Sequence, residues 1–290
     1  MKELAKILVA TDLTPESQDV ISLGATIARK FHSQIILITV IPDIHTSSIA
    51  PDVIKQGVAK LLKEAQENIL KEGIASVEAE VATGSAYDQI VKHAIDRDVN
   101  LVVIGAGDKK ETDKFQLGVT AEKVMRACPK PVWVTKKGCS PDLENILVPV
   151  DFSEASNRAL RNAAVLARNF GAKLTVLHVV EGLSNIYPGR PLVKPEEQGN
   201  FKKEQETEFA KFLQGFDFQG VNWTKTVSMG DPSEEILKAA RGMNSPLIIM
   251  GSEGRTGLSR ILMGNVAEKV VREVPCSMVT VKSSDSMFSR

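Results

Sequence analysis

Short apolar runs alternate along the chain with segments of helical periodicity. Lys6–Thr11 (KILVAT) is apolar until Asp12 and reads as a buried strand. Pro15–Phe31 has helical spacing, with Thr14 placed as its cap and Pro15 at its first position. Gln34–Val40 is a second apolar strand, and Val53–Glu72 a long second helix. Val77–Ala82 alternates like a half-exposed strand. Ser85–Arg97 is a third helix, Asn100–Ile104 a fourth strand, Val119–Ala127 a fourth helix and Pro131–Thr135 a fifth strand. The second half repeats the pattern, with strands near 145–150, 173–179, 222–228, 246–250 and 277–282. Strands that alternate with helices imply crossover connections, and therefore an α/β protein with parallel sheets covered on both faces.

The two halves also match residue by residue. DLTPESQDVISLGATIARKFHSQIILITV aligns with DFSEASNRALRNAAVLARNFGAKLTVLHV, an offset of 139 residues from Asp12/Asp151 through Val40/Val179. NLVVIGAG aligns with SPLIIMGS and AEKVMRACP with AEKVVREVP, now offset by 146. One length change of seven residues reconciles them, and the chain is a tandem duplication. The extra residues fall in Glu181–Gly199, a Pro- and Gly-bearing stretch that reads as a loop before a charged helix, Phe201–Phe212. Lys136–Leu143 (KKGCSPDL) has linker composition, which divides the chain into domains 1–138 and 139–290.

Chemistry concentrates in Met250–Val266, MGSEGRTGLSRILMGNV. After an apolar strand come Gly251, two residues, Gly254, nine residues and Gly264, and Asn265 and Val266 then open a helix. Glycine admits close approach of backbone N–H groups to an anion, and a helix start adds unpaired donors and the positive end of the dipole. The other reading of these glycines is that they only make turns. In open parallel sheets ligands bind beyond the carboxyl ends of the strands, where strand order reverses. Asp12 and Asp151 end the first strand of each half, and Gly105 and Gly251 end the fourth. If those strands are neighbours, the two signals meet in one crevice.

Composition narrows the choices. Lys plus Arg equals Asp plus Glu, 36 each, which argues against bulk attraction to nucleic acid or to a membrane surface. No apolar run approaches the ~20 residues of a membrane span, and Asp12 comes too early for a signal peptide, so a cytoplasmic location is expected. Cys128, Cys139 and Cys276 have neither zinc nor disulfide spacing. The turns after the first strands lack GxGxxG, and no GxxxxGK[ST], HExxH or GxSxG occurs. His32, His45, His93 and His178 are scattered, and His178 is expected to be packed or half-exposed rather than a base or ligand.

The glycine pattern, with the ILVPVDFSE opening, the LHVV strand end and PLIIMGSEG before the loop, resembles the ATP-binding loop of the universal stress protein family. Both halves resemble it, so nearly the whole chain is similar to a tandem universal stress protein. The resemblance implies two open five-stranded sheets of order 3-2-1-4-5, an adenine nucleotide alpha hydrolase-like fold. It implies ATP, with Mg, across the ends of strands one and four of the second domain. Pro149, Asp151 and Val179 would then border adenine and ribose, Met250 and Gly251 would pass beside the ribose, and Gly254, Gly264, Asn265 and Val266 would face the phosphates. Arg255 would either bond a phosphate or stay solvated. Asn265 departs from the Ser or Thr usual in the family. The first domain departs further, with Asp108 for the middle glycine, Val119 for the polar residue and Ala10 opposite Pro149, and is expected to hold a degenerate site. The resemblance also implies pairing of the fifth strands, Val132–Thr135 and Met278–Val281, as an intramolecular pseudo-dimer with Trp133 near the seam. A homodimer of the whole chain stays open, as do its protein partners. Three functions remain: an ATP-binding stress regulator, a slow ATP hydrolase with Glu253 as the nearby carboxylate, or a scaffold that holds no nucleotide.

Overall fold

The computed structural model describes residues 4–43, 50–107, 117–138, 143–181, 195–243, 247–253 and 263–288. The chain divides into two units, Met1–Pro141 with Ser284–Arg290, and Asp142–Ser283.

In the first unit β1 (Lys6–Ala10) leads through a 3-10 turn (Pro15–Ser17) into α1 (Gln18–Phe31), followed by β2 (Gln34–Ile41), α2 (Pro51–Lys71) and β3 (Val77–Thr83). Then come α3 (Ala86–Asp96), β4 (Leu101–Gly105), α4 (Val119–Ala127) and β5 (Val132–Thr135). Its strands lie in the order β3-β2-β1-β4-β5, and the pairings β1–β2, β1–β4, β2–β3 and β4–β5 are all parallel. The second unit contains β6 (Asn145–Val150), α5 (Glu154–Phe170), β7 (Lys173–Val180), α6 (Pro195–Leu213) and β8 (Trp223–Met229). It finishes with α7 (Pro232–Gly242), β9 (Leu247–Gly251), α8 (Asn265–Glu273) and β10 (Met278–Val281). Its order is β8-β7-β6-β9-β10, again parallel. Each unit therefore has the order 3-2-1-4-5.

The elements follow the offsets of the duplication. β2 and β7 differ by 139 residues, whereas β3/β8, α3/α7, β4/β9, α4/α8 and β5/β10 all differ by 146. The length change thus sits between the second and third strands. Most of the loop assigned there, 182–194, lies outside the described residues, but α6 starts at Pro195, six residues before the expected Phe201.

Continuous apolar strands are buried along their length. Ile7–Val9, Ile35–Ile38, Ile146–Val148 and Ile248–Ile249 are at most 1% exposed. Such runs need cover on both faces, which the crossover helices supply. The outer strands β3 and β8 carry Glu78, Glu80 and Lys225 and are only partly buried, and charge on an edge discourages further pairing. One turn departs from expectation. Thr14 does not cap its helix; its hydroxyl donates to Asp12 Oδ1 at 2.7 Å, and a 3-10 turn intervenes before α1. In the second unit Ser153 both donates to Asp151 and caps α5 by accepting from the Ser156 N–H at 3.2 Å.

The last residues group with the first unit, where the sequence places them in a second domain running to 290. Met287 and Phe288 are buried, and the Phe288 ring lies 5.1 Å from that of Phe31 at the end of α1. Lys130, just before β5, bridges Asp98 at 2.6 Å and Asp285 at 3.0 Å. Burial pulls the Lys130 ammonium down, but its bonds to Asp98 and Asp285 outweigh this and raise it above its ordinary value. The tail thus completes the apolar core of the first unit. Phe288→Ala should cost roughly 3 kcal/mol, as for other buried Phe truncations, in urea unfolding. Hydrogen exchange should localise the loss to the first unit, and uniform acceleration would contradict this assignment.

Candidate functional site

Strand order reverses at β6 and β9, whose neighbours lie on opposite sides. A cavity of about 520 Å³ opens beyond the carboxyl ends of β6, β7 and β9. This is within the usual size of a small-ligand site. Pro149, Asp151 and Val179 line it from the strand ends, and Met250 and Gly251 from β9. Gly264, Asn265 and Val266 close it where α8 begins. The structure thus brings eight of the ten sequence-selected residues to one cavity. Gly254 and Arg255 lie outside the described residues, as does Asp108 in the first unit.

Asp151 is held by its own turn. Its Oδ1 accepts the Ser153 N–H at 3.0 Å and the Ser153 hydroxyl at 2.5 Å. Phe152 has φ of 66°, a left-handed conformation uncommon for a bulky residue. Leu13, its counterpart after Asp12, has φ of 62°. The same backbone is therefore imposed twice, and the apolar side chains at Leu13 and Phe152 gave no signal of it. Asp12 makes the matching bonds to Thr14. Partial burial pulls the Asp12 carboxyl up, but its bonds to Thr14 and Ser17 carry it below the usual value.

Two glycines do work other than admitting an anion. A Cβ on Gly251 would lie 2.8 Å from Ala155 Cβ and 2.9 Å from the Ser156 nitrogen. Gly251 is therefore required by the first turn of α5, which presses on the end of β9. The Gly264 N–H is also committed, donating to the Ser252 carbonyl at 2.8 Å. In the first unit Gly118 makes the same closure to Ala106 at 2.6 Å, and a Cβ there would lie 2.9 Å from that oxygen. Among the described residues, the first-turn amides of α8, Asn265 to Ala267, have no carbonyl partner within the helix. No side chain caps Gly264. Anionic groups at this point are favoured by those amides and by the helix dipole.

Glu253 also lines the cavity. Its carboxylate accepts the Ser283 N–H at 3.1 Å and the Ser283 hydroxyl. Sequence reasoning missed the far wall, where Leu177, His178, Phe201, Gln205, Pro232 and Ile236 reach the cavity. Leu177 and His178 lie on β7 and the other four on α6 and α7, and periodicity along an element cannot tell which strand end its side chains face. His178 is 2% exposed, stacks on Phe152 at 4.4 Å, and is packed as expected.

This is the arrangement of an α/β protein with an open cavity at the strand-order switch. The sequence profile of the universal stress protein family matches residues 3–136 and again 143–282, so the chain belongs to that family and carries its domain in tandem. Universal stress protein E of Escherichia coli K12 is 25% identical over 255 residues, covering 82% of this chain and 80% of that protein. Universal stress protein MJ0531 of Methanocaldococcus jannaschii is 30% identical over 146 residues, 48% of this chain and 82% of that protein. The crystal structure of a universal stress protein from Archaeoglobus fulgidus superposes with a TM-score of 0.71 and 22% identity, covering 96% of this chain and 98% of that one. No helix among the described residues is long and apolar enough to cross a membrane.

Gly251→Ala should destabilise the second unit by about 1–3 kcal/mol, the usual cost of overpacking, in chemical denaturation. A neutral outcome would mean that α5 moves freely from β9. Asp231 caps α7 through the Glu234 N–H at 3.0 Å and holds Pro232 and Ile236 on the cavity wall. The Ser233 hydroxyl bond, with lesser help from the Glu234 amide and Lys269, lowers the Asp231 carboxyl below its ordinary value despite some burial. A depressed carboxyl stabilises the fold above its unfolded value near 3.8 and loses that contribution as pH falls through the folded value. Asp231→Ala should therefore cost about 1 kcal/mol at neutral pH. The gap from wild type should close in acid, as read by denaturation at several pH values.

Proposed function

We propose that the second unit binds ATP, with magnesium, and that the protein is a cytoplasmic stress regulator rather than an enzyme. The observation that carries this is the meeting of Asp151, the β9 end and the open first turn of α8 in one cavity. Val179 and Met250 provide apolar walls for a base, and Asp151 an acceptor for ribose hydroxyls. The amides of Asn265 and Val266 suit phosphate oxygens. ATP supplies the anionic tail those amides need, and magnesium would come with the phosphates. Asn265 can lack a hydroxyl without harm in this reading, because the backbone makes the contact. Gly254 and Arg255 belong to the same proposed site. The engagement of Glu253 with Ser283 favours retention of ATP over hydrolysis.

The first unit is proposed not to hold nucleotide, so that each chain binds one. Supporting this, the sequence has Asp108, a carboxylate, where the second unit has Gly254, and Ala10 stands opposite Pro149.

Asn265→Pro tests the site without breaking the helix, because proline suits the first helical position and removes only the N–H. Gly264 has φ −63° and ψ 150°, which suits a residue before proline. The variant should keep its ligand-free melting temperature and lose roughly tenfold or more in ATP affinity, the worth of one charge-assisted bond. Titration calorimetry should give one ATP per wild-type chain, and radiolabelled ATP should remain intact. Two nucleotides per chain, steady turnover, or unchanged affinity in Asn265→Pro would each contradict the corresponding part.

A further inference from the structure

The cavity has two chemically different ends. The β9–α8 end carries the helix amides. The opposite end, across β6, is formed by β7 and α6, where Leu177, Val180 and Phe201 are apolar and His178 and Gln205 can hydrogen-bond. Nδ1 of His178 lies 2.9 Å from the Val150 carbonyl oxygen and donates to it. Nε2 of the same ring lies 3.4 Å from the Gln205 amide oxygen. The Gln205 amide nitrogen reaches Glu208 on its own helix at 3.5 Å. Both separations exceed the usual 2.7–3.2 Å, roughly, of a good bond. Gln205 is thus a cavity-lining amide with poorly matched protein partners.

We propose that Gln205 reads the base of the bound nucleotide and selects adenine over guanine. This rests on the reading that phosphates lie at the start of α8. An elongated ligand anchored there places its uncharged end against β7 and α6. A glutamine amide presents one donor and one acceptor side by side. On the N7 edge, the one assigned here to Gln205, adenine offers the complementary pair at N6 and N7, whereas guanine offers two acceptors at O6 and N7. Guanine therefore leaves the Gln205 oxygen opposed by a lone pair. The first unit has Thr39 at the position matching His178, and so lacks this end of the arrangement.

The test is calorimetry on the full chain with ATP and with GTP, each with magnesium. Wild type should bind ATP roughly tenfold or more tighter than GTP, the discrimination of one bidentate contact. In Gln205→Ala the ATP affinity should fall to that for GTP. Gln205→Glu, of equal length but presenting only acceptors, should also lose the preference, which guards against a loss caused by packing. Equal affinities in wild type, or a preference that survives both substitutions, overturns the assignment of Gln205 and leaves the ATP site standing. If wild type binds neither nucleotide, both are overturned.

Discussion

The second unit depends on how closely α5 approaches the end of β9. The first turn of that helix sits against Gly251 with no room for a single carbon between them. This contact sets the distance between the β6–α5 turn, which carries Asp151, and the β9–α8 loop, which carries the helix amides. The corresponding place in the first unit is looser. A 3-10 turn precedes α1 there, and a Cβ on Gly105 would meet only the end of the Val20 side chain, at 3.2 Å. The duplicated units share a fold, yet the tight version of the crevice belongs to the second.

Rigidity around the cavity comes from local turns that recur in both copies. A carboxylate at the strand end accepts from a hydroxyl residue two positions on, and the residue between them takes a left-handed conformation. That conformation costs energy for Leu13 and Phe152, and it persists only because surrounding structure holds it. In the second unit the Phe152 ring is held against His178, Phe209 and Phe212. Strain in the turn and packing of the aromatic group are therefore two sides of one arrangement, of which Asp151 and His178 line the cavity.

The glycines illustrate how a motif can be right in place and different in cause. Spacing alone suggests that each glycine bares an amide for an anion. Gly264 instead uses its amide to close the loop on Ser252, and Gly251 makes room for a helix. Among the described residues, the amides left without a partner in the helix are those of Asn265 to Ala267, in the turn of α8 that follows.

Sequence by itself determined the duplication, the α/β class, the parallel order implied by crossovers and the identity of most strand-end residues. These follow from local periodicity and from side-chain types, which a chain displays before it folds. Only the tertiary structure decided that the C-terminal tail completes the first unit. It also decided that Glu253 is bound by Ser283, and that His178 and Gln205 form the far wall of the cavity. Each of those facts depends on which element lies beside which across tens of residues, and such neighbours are chosen by packing, not by any pattern along the chain.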